Sequence, residues 1–344
     1  MILVSLLLAA APAKAAPAPA AAPAAAHQQG DWFASLYTGE GIELRADERV
    51  FALFAMLNAV GYDGGPITRK EPVPKVLYHP VRQQVRQRVI GGDAEVKKVA
   101  DAFLDAHPVA LRRYLAYAAS AAPPPFSTGA TAKDLQDLKG LEAVLARAWS
   151  GWKLDELMGT VQGEYRKVLK SYLSAIDTPM QKARDLLKVP EGGSASVLVV
   201  NLLDAQNEVR GVQTDSEIVL VVGPADKPNV EGLLKEYARV MVDPVVSKKV
   251  SGWANGAAVL REAQVAGATE QTLQDYASGL VATAVALRAM EANDAAYEAA
   301  NARGYFGAKD IAALFDGGKT VDAVVADAFV KAEAKRPTAA PPKK

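Results

Sequence analysis

The sequence predicts an α+β fold that is predominantly α-helical, with one small, mostly antiparallel sheet next to a central helix. Apolar residues recur at helical spacing along most of the 344 residues. The middle of the chain has three β-rich runs, at 195–203, 209–212 and 216–222. An amphipathic segment at 230–242 follows the last run after a short polar loop. This order places the sheet and the helix beside each other.

The two ends of the chain are predicted to lie outside the folded part. Residues 1–15 combine an apolar run with a small-x-small cleavage pattern, which is typical of a secretory signal peptide; an Ala/Leu-rich end without targeting function is the alternative. Residues 16–30 form a Pro/Ala-rich tether, and residues 337–344 form a Pro/Lys tail that we expect to be disordered. We therefore expect a periplasmic or secreted protein with no membrane span after signal removal.

Charge and cysteine content exclude several classes of function. The 39 Lys and Arg residues balance the 39 Asp and Glu residues, so the chain lacks the basic field of a nucleic-acid-binding protein. There is no cysteine, so neither a disulfide, a thiol nucleophile nor a thiolate metal site can form. The sequence indicates no cofactor, and packing alone must hold the fold together.

Residues 31–190 are predicted to form a helical region. It opens with a short alternating strand at 41–45, and Asp47 is then predicted to cap a helix that extends to about Val60. The same helical spacing returns in six further segments. These predicted helices are at about 81–90, 94–106, 111–118, 131–149, 153–176 and 179–187.

Residues 191–336 are predicted to form a sheet-plus-helix region. The three β-rich runs build its sheet, and the helix at 230–242 follows, closed by Pro244. Further helices are predicted at about 253–264, 270–290, 295–302, 308–315 and 320–334. A loop at 189–193 either separates this region from the helical one or lies inside a single domain.

The segment 216–244 resembles the active-site segment of gluzincin-type zinc metallopeptidases, especially those secreted by bacteria. It has an apolar strand followed by a helix, on which Lys235, Glu236 and Arg239 occupy the places of the His-Glu-x-x-His motif. The ending Val242-Asp243-Pro244 is similar to the apolar-Asn-Pro ending of that helix. The resemblance implies a zincin-like fold, in which a strand upstream of the helix binds substrate backbone.

The same resemblance implies that the metal site is degenerate. Two histidines four residues apart can reach one zinc ion, and the glutamate beside the first acts as general base. Lys235 and Arg239 instead place two cations at the ligand positions, where they would repel the ion. Glu236 keeps the general-base position. The implied outcome is a peptidase-like fold without peptidase chemistry.

A third zinc ligand is also missing from its expected place. In the best register with the downstream helix of these peptidases, Ser278 stands where a glutamate is expected, and Glu262 and Glu270 are nearby alternatives. The three histidines of the chain do not replace the missing ligands. His27 lies at the end of the tether, and His79 and His107 each stand directly before a proline, as residues at element boundaries do. We predict no metal site and no catalytic residue.

Three functions fit these observations. The first is an exported, non-catalytic, metallopeptidase-like protein that has lost its metal site and binds a peptide or an envelope component in its cleft. The second is a structural helical envelope protein unrelated to peptidases, with Lys235, Glu236 and Arg239 on an ordinary solvated helix face. The third is a hydrolase with an unconventional site around Glu236, completed by Glu262 or Glu270 and a histidine.

Overall fold

The computed structural model describes residues 35–39, 41–62, 77–190 and 194–336. These residues form α-helices packed against one small sheet, so the fold is α+β and mostly helical, as predicted. They belong to one compact unit. The predicted signal peptide, the tether, the C-terminal tail and His27 lie outside the described residues. None of the described helices is long and apolar enough to cross a membrane.

Helices make up most of the described chain, and most of them begin and end close to the predicted positions. The first group is α1 Glu48–Ala59, α2 Pro80–Ile90, α3 Ala94–Ala106, α4 Leu111–Ser120, α5 Leu141–Gly151, α6 Leu154–Leu173 and α7 Asp177–Leu187. The second group is α8 Val230–Lys249, α9 Gly256–Ala266, α10 Leu273–Ala289, α11 Asp294–Ala302, α12 Ala308–Asp316 and α13 Val321–Lys335. Asp47 caps α1 as predicted, because its side chain accepts hydrogen bonds from the N–H groups of Arg49 and Val50.

The predicted helix at 131–149 is divided into two pieces. A 3-10 helix covers Lys133–Leu138, and α5 begins only at Leu141. Gly140 lies between them with a φ of 106°, a left-handed conformation that glycine adopts without steric cost. A helix cannot continue through that conformation, so the prediction of one helix from Thr131 is wrong.

One mixed sheet runs through the described residues, in the order β1-β2-β3-β5-β4. Its strands are β1 Leu36–Tyr37, β2 Glu43–Ala46, β3 Ala195–Val200, β4 Val209–Gln213 and β5 Glu217–Val222. The pairs β2–β3 and β3–β5 are parallel, whereas β1 and β4 are antiparallel outer strands. The prediction of a mostly antiparallel sheet is therefore wrong.

Long connections along the chain make the central strands parallel. β2 pairs with β3 from Glu43↔Val197 to Ala46↔Val200, although helices α1 to α7 lie between them in sequence. β4 lies on the far side of β5, so β3 and β5 become neighbours that run in the same direction. Parallel pairs need such crossovers, whereas short hairpins would produce the antiparallel order. The sheet thereby takes strands from both the predicted helical region and the predicted sheet-plus-helix region.

Helix α8 is longer than the sequence predicts. It continues through Pro244 to Lys249, although proline has no N–H to donate within a helix. Val246 lies beyond the proline and is fully buried, and α8 packs against α10 and α13. The expectation that Pro244 closes this helix is therefore wrong, because the helix continues past the lost hydrogen bond and buries Val246.

Candidate functional site

Lys235, Glu236 and Arg239 lie on α8 with most of their side-chain surface covered. Their side chains are 25%, 14% and 11% exposed, respectively. The interpretation of these residues as an ordinary solvated helix face is therefore wrong. Because α8 contacts β4, β5 and α10, neighbouring elements cover even its charged positions. The three side chains are available for specific contacts inside the fold.

Glu236 and Arg239 bind the edge strand of the sheet. Oε2 of Glu236 accepts a hydrogen bond from the N–H of Gly211 at 3.0 Å and another from Nε of Arg239 at 3.1 Å. Arg239 also donates from Nη2 to the carbonyl oxygen of Gly211 at 3.1 Å. Arg112 on α4 forms a 2.6 Å ion pair with the same Oε2. These four residues, which we call the Glu236 network, close the outer edge of β4 at Gly211.

A glycine is required where β4 meets α8. A Cβ atom on Gly211 would lie 2.9 Å from Cγ2 of Val240 and 3.0 Å from the carbonyl oxygen of Glu236. Both distances are shorter than ordinary van der Waals contacts. The absence of a side chain at this position therefore lets the helix approach the strand closely enough for the Glu236 network to form.

The charges around Glu236 favour its ionised form. Burial raises the pKa of Glu236, but Arg112, Arg239 and the N–H of Gly211 together outweigh burial and hold that pKa below its ordinary value. Burial also lowers the pKa of Arg112, and Glu236 opposes that shift. A carboxylate in this environment is a stable partner for ion pairs and a weak base.

We expect acid to destabilise the protein partly through Glu236. Its pKa is lower in the folded chain than its ordinary value of 4.5, so its contribution to stability is present above that value and is lost as the pH falls through the folded pKa. The free energy of unfolding, measured with urea at steps from about pH 6 to about pH 3, should fall more steeply for the wild type than for Glu236→Gln. Parallel curves for the two proteins would contradict this expectation.

Lys235 makes its contacts outside the Glu236 network. Its Nζ donates to the hydroxyl of Tyr305 at 2.6 Å and lies 3.5 Å from Oε1 of Glu270, which also accepts from that hydroxyl at 2.8 Å. Burial lowers the pKa of Lys235, and Glu270 and Glu236 oppose the shift. Burial also raises the pKa of Tyr305, so its hydroxyl stays protonated and remains a donor.

Of the three candidates for the third ligand, Glu270 is the one that contacts Lys235. Ser278 is fully buried on α10 and donates a hydrogen bond to Oδ1 of Asp243 at 2.7 Å. Glu262 forms a 3.7 Å ion pair with the arginine that follows α13. The residues of the predicted degenerate site therefore divide among three separate sets of contacts: Lys235 in one, Glu236 with Arg239 in another, and Ser278 in the third.

The two described histidines are boundary residues, as predicted. His79 caps α2 by accepting a hydrogen bond from the N–H of Val81. His107 ends α3, and its ring stacks on Phe103. Across the described parts of the chain, no group of His, Asp and Glu is arranged so that it could hold a metal ion.

A cleft of about 400 Å³ opens beside Lys235, and we call it the α8 cleft. Residues of α8, of α10, of the loop before α10 and of the segment after α11 form its wall. They include Asn229, Glu231, Lys235, Thr269, Arg303 and Tyr305. Neither the Glu236 network nor Ser278 contributes to this wall. Of the four residues that the sequence singles out, Lys235 is the one that faces the cleft.

No protein-family model, no curated protein and no solved structure matches this chain. The resemblance to gluzincins therefore stays a prediction that rests on the segment 216–244. Sequence reasoning also missed Arg112 and Tyr305, because neither lies in a motif and they are 124 and 70 residues from their partners on α8.

Proposed function

We propose that this chain is an exported, non-catalytic protein of metallopeptidase-like design, whose metal site has been lost and whose α8 cleft binds a ligand. One observation carries the proposal. At the sequence position of the first zinc ligand, Lys235 lies on the wall of the cleft and holds its ammonium group against Glu270 and Tyr305. A cation that belongs to the chain thus takes the position at which the resemblance implies a metal ligand. Export rests on the signal-like pattern at residues 1–15.

The contacts of Glu236 and Arg239 also support a role without hydrolysis. A general base needs a lone pair that is open to the reacting water and a pKa near the working pH. Oε2 of Glu236 already accepts hydrogen bonds from Arg112, Arg239 and Gly211. Its lowered pKa makes proton abstraction less favourable still. A hydrolase built around Glu236 therefore has less support than a binding protein.

A structural helical envelope protein is the second candidate, and the Glu236 network favours it. The network connects α4, α8 and the edge strand β4, so its charged residues stabilise the fold. Such a role needs no ligand. Binding at the α8 cleft is therefore the observation that separates this candidate from the proposed function.

Metal analysis and activity assays test the proposed function. We expect the purified protein, dialysed against zinc and then against buffer, to retain substoichiometric zinc, because the ligand positions carry cations. We also expect no cleavage of a broad peptide panel with or without added metal ions. Stoichiometric zinc, or peptide cleavage that Glu236→Gln abolishes, would overturn the proposal.

A further inference from the structure

We infer that the α8 cleft binds a small zwitterion, a molecule with both a carboxylate and an ammonium group, such as a free amino acid or a short peptide; the inference rests on the proposed binding function. Charged side chains of the cleft wall take part in two ion pairs, one of them with Glu270, which does not itself line the cleft. Lys235 lies 3.5 Å from Glu270, and Arg303 lies 3.4 Å from Glu231. The charged residues of the wall are thus two cations, Lys235 and Arg303, and one carboxylate, Glu231, so a ligand that carries both signs finds a partner for each.

Lys235 and Arg303 have donors available for the carboxylate of the ligand. An ammonium group has three donors and a guanidinium group has five. Lys235 uses one donor for Tyr305, and its contact with Glu270 is long. The Arg303 side chain is 57% exposed, and its contact with Glu231 is 3.4 Å. A carboxylate between the two cations would form charge-assisted hydrogen bonds with both, and these are the strong class.

Glu231 supplies the complementary acceptor for the ammonium group. It lines the cleft, and its side chain is 42% exposed. Glu270 adds a second negative charge next to Lys235, and its Oε2 is buried with no hydrogen-bond partner among the described residues. A simple anion would be repelled by Glu231, whereas the ammonium group of a zwitterion would be attracted to it.

The size and the remaining wall of the cleft agree with a small ligand. Its volume of about 400 Å³ lies at the lower end of the range of small-molecule sites. The side chain of Asn229 already accepts from the N–H of Gly232 and donates to the carbonyl oxygen of Asn207. Thr283 of the wall donates its hydroxyl to the carbonyl oxygen of Gly279, so these two polar side chains are already engaged within the fold.

Isothermal titration calorimetry on the full chain tests this inference with four probes: L-alanine, dialanine, sodium acetate and methylammonium chloride. We expect alanine or dialanine to bind, and we expect acetate and methylammonium to bind at least about tenfold more weakly because each offers a single charge. Tighter binding of alanine identifies a free amino acid as the ligand class, and tighter binding of dialanine identifies a short peptide.

Substitutions in the cleft locate the binding. Arg303→Met and Glu231→Gln should each weaken the binding of the better probe at least about tenfold, because each removes one of the charges that the ligand contacts. Both side chains are well exposed, so neither change should prevent folding. Lys235→Met should have the same effect on affinity. Lys309→Met is the matched control, because Lys309 is exposed, pairs with Asp294 and does not line the cleft.

Three results would each overturn the inference: no binding of alanine or dialanine, equal affinity for acetate, or unchanged affinity in Arg303→Met. Stoichiometric zinc in the purified protein would instead overturn the proposed function. A zinc-free protein that binds no zwitterion leaves the proposed loss of the metal site intact, so the two failures can be told apart.

Discussion

Replacement of Glu236 by alanine is expected to lower the free energy of unfolding by about 3–5 kcal/mol, as removal of one partner from a buried ion pair does. The change removes the acceptor of Arg112, of Arg239 and of the N–H of Gly211 at once. Arg239 is more enclosed than Arg112, with 11% of its side chain exposed against 41%, so water cannot fully replace the carboxylate there. The edge strand β4 would lose a side-chain hydrogen bond at the same time.

Urea denaturation of wild type, Glu236→Ala and Glu231→Ala measures this effect. Glu231 is the matched control, because it lies on the same helix and has one 3.4 Å ion pair on a half-exposed side chain. Replacement of Glu231 should lower the free energy of unfolding by less than about 1 kcal/mol. The loss in free energy of unfolding for Glu236→Gln should lie between the losses of the two alanine variants, since an amide oxygen can still accept a hydrogen bond from the N–H of Gly211. Equal losses for the two alanine variants would show that the Glu236 network does not stabilise the fold.

Asp47→Ala is expected to have an effect of similar size, about 3–5 kcal/mol. The Asp47 side chain, which is 4% exposed, forms ion pairs with Arg49 at 2.6 Å and with Arg45 at 3.2 Å. It also accepts from the N–H groups at the start of α1. Burial raises the pKa of Asp47, but Arg49 and Arg45 outweigh burial and hold it below its ordinary value. The substitution therefore removes a helix cap and leaves two arginines without this partner.

Asp93→Ala separates the two parts of that effect. Asp93 also caps a helix, α3, by accepting from the N–H of Glu95, but its side chain is exposed. We expect Asp93→Ala to lower the free energy of unfolding only by the contribution of the helix cap, about 1 kcal/mol. Thermal or urea unfolding of both variants provides the comparison. A loss in Asp47→Ala no larger than the loss in Asp93→Ala would mean that the ion pairs with Arg45 and Arg49 contribute nothing measurable.

Local rules explain the parts of the fold that could be predicted. Asp47 caps α1 because its carboxylate reaches N–H groups two and three residues away. The apolar run at 216–222 becomes strand β5, and α8 begins directly after Asn229 caps it. Each of these outcomes depends on residues that are neighbours in sequence, so periodicity and capping chemistry are enough to predict them.

Packing decides the features that the sequence predicts incorrectly. Pro244 is a local stop signal, yet α8 continues because Val246 is buried beyond it. The parallel order of β2, β3 and β5 depends on how long connections cross the sheet. Neither feature is encoded within a single segment, because both follow from contacts between distant parts of the chain.

At the site, the charges on α8 can be read directly from the sequence: Lys235, Glu236 and Arg239. The partner of each charge depends on the packing of the fold. Consecutive positions on a helix are rotated by about 100°, so adjacent Lys235 and Glu236 meet different elements. Lys235 reaches the α8 cleft and Tyr305, which is 70 residues away, whereas Glu236 meets β4 and Arg112, which is 124 residues away. Partners at such separations are selected by the packing of whole elements, which no local pattern records.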